Sequence, residues 1–143
     1  FHTVRLYAEQ YALLVAPGHP FADRAHVSWA DAGRLPLCLL TGDMQNRRII
    51  DRHLADAGVE IPPMLESNSM TMLHVHVRSG LFATIAAVGT GERFAAPMEL
   101  IAIPIVEPAV THEIGLVLKA REPHPPHVSA FLTMARKFAP PSV

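Results

Sequence analysis

Leu37-Cys38-Leu39-Leu40-Thr41-Gly42-Asp43 is an apolar run bounded by Pro36 on one side and a Thr-Gly loop on the other. That is the mark of a short strand covered on both faces. Asp43 is expected to cap a helix behind it, because Ile49, Ile50, Leu54 and Ala57, with His53 beside them, fall at helical spacing. Gly58 supplies the left-handed stop. Pro62-Pro63 then resets the chain, Met64 and Leu65 offer a second short strand, and Ser67 or Ser69 can cap a helix carrying Met70, Leu73 and Val77 before Gly80. Leu81 to Val88 is a third apolar run, with a glycine turn expected at Gly89-Thr90-Gly91. The middle of the chain therefore reads βαβαβ, which calls for a parallel sheet with right-handed crossovers covering both faces.

Upstream, Val4 to Val15 reads as a strand that stops at the turn Ala16-Pro17-Gly18-His19-Pro20. Ser28-Trp29-Ala30-Asp31 places a capping residue three before an acid, so one short helical turn is expected before Gly33. Downstream, Leu100 to Val106 and Glu113 to Ala120 read as strands. Pro125-Pro126 opens a helix from His127 to Phe138, with Val128, Phe131, Leu132, Ala135 and Phe138 as its apolar stripe, and Pro140-Pro141 ends it.

The 143 residues are 50 % hydrophobic and 17 % charged, enough for a real core in one domain or two small lobes and incompatible with disorder. Twelve Lys and Arg against 13 Asp and Glu leave no basic field to hold a phosphate backbone, so this segment is not expected to grip DNA by itself. The uncharged stretch Ser79 to Gly91 is too short to cross a bilayer, which takes about 20 apolar residues. Cys38 stands alone among leucines, which points to a buried small hydrophobe and a reducing compartment. The start at Phe1, without the features of a signal peptide, suggests a piece of a longer protein.

Motifs for catalysis are weak. His74-x-His76 is the only close His pair, and on a helix the two rings point apart, so no metal is expected and the pair reads as solvated. His112-Glu113 and His124/His127 sit near turns and receive no role. There is no Gly-x-Ser-x-Gly elbow, Cys38 lies inside a strand, and the third glycine position of a dinucleotide fingerprint is Phe94. Neither an enzyme nor a cofactor is indicated. Binding reads better: ligands of open parallel sheets sit at the carboxyl ends of strands, here Thr41-Gly42-Asp43 and Ser67-Asn68-Ser69, beside helix starts with free N–H groups. The same residue types are also ordinary helix caps. Asp43 would oppose an anion unless it turns outward.

Several pieces, in order, carry a resemblance. Leu14-Val15-Ala16-Pro17-Gly18-His19-Pro20-Phe21-Ala22 is followed by Val27-Ser28-Trp29-Ala30-Asp31, Leu35-Pro36-Leu37-Cys38 and a helix with Arg47, Asp51 and Ala57-Gly58. Then come Glu66-Ser67-Asn68-Ser69, Val77-Arg78-Ser79-Gly80-Leu81, Ile114-Gly115-Leu116-Val117 and Phe131-Leu132. In register over nearly the whole chain, these resemble the effector-binding domain of LysR-type transcriptional regulators. The chain departs from that pattern at Gly80-Leu81-Phe82, where relatives have Gly-Leu-Gly, and at Ala87-Val88-Gly89, which lacks the usual Pro.

The resemblance implies an α/β, periplasmic-binding-protein-like (type 2) fold: a Rossmann-like lobe with a parallel or mixed sheet, plus a partial second lobe. Residues 1–19 would be the crossover strand of the incomplete first lobe, 20–105 the complete second lobe, and 106–143 the return strand and terminal helix of the first. The opening part of that first lobe and a DNA-binding helix-turn-helix would lie upstream. By the same resemblance, Thr41, Gly42, Asn68, Ser69 and Val88 match positions lining an interlobe cleft for a small-molecule effector such as an organic acid; Asp43 and Met70 beside them complete the candidate site, with Met44 and Met70 as apolar walls. The implied protein is a cytoplasmic, non-enzymatic homodimer or higher homo-oligomer, without cofactor or metal, reaching DNA only through the missing domain. An extracytoplasmic solute-binding protein of a transporter would share the lobes. An enzyme of similar two-lobed fold would need an acid–base pair that the sequence does not offer.

Overall fold

The computed structural model describes residues 1–89, 96–120 and 123–138. Thr90-Gly91, Phe94 and the Pro140-Pro141 stop lie outside them. The chain divides into two compact units, one of Phe1–Glu9 with Thr111–Val143 and one of Gln10–Val110. A long strand, β1 (His2–Val15), contributes residues to both.

The larger unit is built around the carboxyl half of β1. It adds β2 (Val27–Ser28), α1 (Trp29–Gly33), β3 (Cys38–Leu40), α2 (Gln45–Asp56), β4 (Leu65–Ser67), α3 (Met70–Arg78), β5 (Thr84–Ala87), a 3-10 turn at Ala96–Met98 and β6 (Ile101–Val106). β3 and β4 pair in parallel with Leu40 opposite Ser67, and a parallel bridge from Leu37 to Ala83 joins β3 to the start of β5. β1 lies between β5 and β6, antiparallel to both, and β2 pairs in parallel with β6. The sheet is thus mixed, because β1 runs against the neighbours on either side.

Alternation along the strands assigns the core. Leu13 and Val15 of β1, Leu39 of β3 and Ile85 of β5 join Trp29 and Ala32 of α1 and Ile50 and Leu54 of α2 in one buried cluster. Leu14, Cys38, Leu40 and Ala86 join Leu73 and Val77 of α3 in another. Helices therefore cover both faces, as a strand–helix–strand series requires.

Helix ends follow local chemistry with one exception. Ser28 Oγ accepts from Asp31 N at 3.0 Å, and Ser69 Oγ accepts from Met72 N at 3.4 Å. α2 closes in a Schellman motif: Gly58, at φ 76°, donates to the Ala55 carbonyl and Val59 donates to that of Leu54, both at 2.9 Å. The exception is Asp43, which does not cap α2. The N-cap is Met44, with no side-chain bond, because the helix starts one residue later than a cap at Asp43 allows.

His74 also corrects the sequence reading: it is buried, not solvated, while His76 is half-buried, its ring edge-on to Phe82 at 5.7 Å. Met70, Leu73, His74 and Val77 form the i, i+3, i+4, i+7 face of α3, so position 74 turns inward with the apolar residues. Burial holds the His74 imidazole below its usual range. The unfolded chain takes up a proton near pH 6.5, which the folded chain refuses until lower pH. The associated stability is therefore complete above about pH 6.5 and lost as pH falls through the folded value. Urea unfolding at pH 7 and pH 5 should show a smaller acid loss for His74→Leu than for the wild type; equal losses would remove His74 from the acid response.

In the smaller unit β7 (Thr111–Leu118) pairs with β1, and α4 (Pro126–Phe138) starts on Pro126, a residue suited to a first helical turn. Gly115 is required by close approach, since a Cβ there would lie 2.7 Å from the Val4 carbonyl oxygen. Val4 and Leu132 are buried in this unit, whereas Val117, Phe131 and Met134 are exposed.

Candidate functional site

The parallel pairing of Leu40 with Ser67 brings two loops side by side at the carboxyl ends of β3 and β4. Thr41, Gly42 and Asp43 follow one strand, and Asn68, Ser69 and Met70 follow the other. Val88 follows β5, whose parallel bridge to β3 puts its carboxyl end on the same edge of the sheet. All seven residues thus belong to one edge of the larger unit, although Val88 stands on a different strand from the other six.

Thr41 is half-buried, and its carbonyl accepts from Met44 N at 3.0 Å, turning the chain into α2. Asp43 is exposed, and its carboxyl is held below the usual carboxylate range by bonds from the Thr41 hydroxyl and its own backbone N–H, with Arg48 adding attraction. It stays ionised. Arg48 also donates to the Gly42 carbonyl at 3.3 Å and the Asp43 carbonyl at 2.9 Å, pinning this loop from the helix side. The first turn of α2 carries neither a side-chain cap nor an acid, so its backbone donors face this edge without an internal counter-charge in the helix. On the second loop, Ser67 Oγ accepts from Ser69 N at 3.1 Å, and Ser69 is itself the cap of α3. A serine hydroxyl that accepts as a cap still has a proton to donate. Asn68 is exposed, and Met44 and Met70 are half-buried against the second core cluster.

Arg47 was not singled out by sequence as a site residue. Its side chain is 10 % exposed and reaches three elements: Nη1 donates to the Leu40 carbonyl at 2.6 Å and to Glu66 Oε1, and Nε donates to Asp51 Oδ1 at 2.7 Å. Burial opposes its charge, but the bonds to Glu66 and Asp51 outweigh burial and hold the guanidinium above its ordinary pKa. The sequence signal was the Arg47/Asp51 pair at i, i+4. Nearby, the Tyr11 hydroxyl donates to Asn46 Oδ1 at 2.8 Å, tying the first turn of α2 to β1.

The chemistry on offer is hydrogen bonding. Burial pushes the Cys38 thiol up to about 11, far from a nucleophile's range. Among the described residues no three His, Cys, Asp or Glu converge as metal ligands, and no helix is long and apolar enough to cross a membrane.

Comparison with known proteins agrees with this architecture. Residues 1–140 match the family model described as the LysR substrate binding domain. A probable nitrogen assimilation transcriptional activator from Synechococcus elongatus is 24 % identical over 132 residues, covering 92 % of this chain and 43 % of that protein. A probable RuBisCO transcriptional regulator from Cyanophora paradoxa is 32 % identical over 90 residues, covering 60 % of this chain and 28 % of that one. The chain thus spans less than half the length of either regulator. Among solved structures, the effector binding domain of QuiR in complex with shikimate superposes with a TM-score of 0.78 at 19 % identity, over 96 % of this chain and 65 % of that one. The CcmR regulatory domain of Synechocystis in complex with 2-PG gives 0.77 at 12 % identity, over 99 % and 69 %. These two likenesses establish the periplasmic-binding-protein-like fold, and the family match over nearly every residue makes the chain a member of the LysR substrate-binding-domain family.

Proposed function

We propose that this chain is the effector-sensing part of a LysR-family bacterial transcriptional regulator, binding a small oxygen-rich metabolite such as an organic acid. The observation that carries the reading is the register of Leu40 with Ser67, which sets the Thr41–Asp43 and Asn68–Met70 loops beside the uncapped start of α2. Hydroxyls, an amide and backbone N–H groups there suit a ligand rich in oxygen. The family match and the regulators it resembles support the transcriptional role, and the shikimate and 2-PG complexes of structural relatives support the ligand class. In this reading, the larger unit, Gln10–Val110, forms one lobe, and the smaller unit, Phe1–Glu9 with Thr111–Val143, belongs to another, completed by upstream chain. Val88 faces the ligand from the third strand end. The protein acts as a homodimer or higher oligomer in the cytoplasm, without a catalytic step, and DNA is held by a separate domain. Effector binding changes DNA affinity only as far as the ligand prefers one arrangement of the protein over another.

Titration calorimetry with shikimate and a set of other small hydroxy acids tests this reading. Thr41→Ala should weaken binding of whichever acid the wild type takes by about 5- to 15-fold, the worth of one hydrogen bond, and leave thermal unfolding unchanged. Unaltered affinity would remove Thr41 from the site; no binding by the wild type across the set would remove the ligand class.

A further inference from the structure

Arg47 breaks a local rule. It sits in the first turn of α2, where the helix dipole disfavours a cation, next to Arg48 and with no acid in that turn. Such departures persist where tertiary contacts repay them. Here the repayment is three acceptors on three elements: the Leu40 carbonyl at the last position of β3, the Glu66 carboxylate in β4, and Asp51 one turn along α2. Leu40 immediately precedes Thr41, and Glu66 is two residues before Asn68. The strands so joined are three residues long apiece, and among the described residues β4 pairs only with β3. So short a ladder restrains its own ends weakly. The other usual anchor of a helix start, a side-chain cap, is absent at Met44. Asp51 and Glu66 are both about half exposed, and ion pairs with such solvated partners contribute little net stability, so what these supply is geometry.

We propose that Arg47 is a positioning residue of the effector site, holding the carboxyl ends of β3 and β4 and the start of α2 in the arrangement a ligand meets. The inference rests on the assignment of the Thr41–Asp43 and Asn68–Met70 loops as ligand-bearing. The guanidinium fork is what allows one side chain to serve three acceptors, and a lysine ammonium at the end of its flexible stem cannot span the same set.

Amide hydrogen exchange of the full chain, wild type against Arg47→Met and Arg47→Lys, decides the matter. Arg47→Met should speed exchange in residues 41–44 and 68–70 by tenfold or more while Leu13, Leu14 and Val15 of β1 keep their wild-type rates. Arg47→Lys should recover part of that protection. Uniform acceleration across both loops and β1 would show a role in general stability alone, and unchanged loops would show no role; either overturns the proposal. Shikimate calorimetry on the same samples separates the two readings. If the wild type binds, Arg47→Met should raise Kd by tenfold or more, and an unchanged Kd would overturn positioning. If the wild type does not bind but the loops loosen selectively, the assignment of shikimate-like ligands fails while the tie made by Arg47 stands.

Discussion

Trp29→Ala should lower the free energy of unfolding by about 3–5 kcal/mol, a large part of the 5–15 kcal/mol that holds a typical domain. The indole is 1 % exposed and sits at the first position of α1, directed by the Ser28 cap into the cluster between the sheet and α2. Its ring packs at 4.8 Å from His53 of α2 and 5.7 Å from Tyr11 of β1, so its loss opens a cavity between these two elements. Its Nε1–H also donates to the Pro108 carbonyl at 3.2 Å, an acceptor that truncation leaves without this donor. Trp29→Phe keeps most of the volume and removes the N–H, so it should cost much less than the alanine. Urea titration followed by circular dichroism is the appropriate measurement, because Trp29 is the only tryptophan and its fluorescence disappears with it. A loss below about 1 kcal/mol for Trp29→Ala would contradict the packing described.

Leu73→Ala should cost about 2–5 kcal/mol through the opposite face of the sheet. Leu73 is 1 % exposed on α3 and packs with Leu14, Cys38, Leu40 and Ala86, and its carbonyl lies 3.6 Å from Cys38 Sγ. The same helix begins with the Ser69 cap at the candidate site, so loosening its inner face should also weaken ligand binding. Trp29 and Leu73 share no cluster, since the sheet stands between them. Their effects should therefore add in the double variant to within about 0.5 kcal/mol. A large departure from additivity, measured by the same denaturation, would mean that the two faces are coupled through the sheet.

The caps and stops were legible because they act within a few residues. Ser28, Ser69, Gly58 and Gly80 each do locally what their residue type favours. The strands β3, apolar throughout, and β5, apolar but for Thr84, were legible because a strand buried on both faces needs no alternation. Where local options were nearly equal, the sequence did not choose correctly: Asp43 lies one residue before the cap position, yet Met44 takes it.

What remained depended on partners far along the chain. The antiparallel course of β1 between β5 and β6 is set by pairing across some 70 to 90 residues, which no local pattern records. His74 is buried because the fold chooses which face of α3 meets the sheet, and a histidine at i+4 from Met70 goes in with its neighbours. Arg47 became visible only when β3 and β4 carried the Leu40 carbonyl and Glu66 within reach of its fork. By itself the sequence determined the elements, their order, the apolar faces and the family they resemble, because these follow from short-range chemistry and periodicity. Only the tertiary structure decided which strand ends stand side by side and which charge joins them, because long-range acceptors exist for a side chain only once the sheet has brought them there.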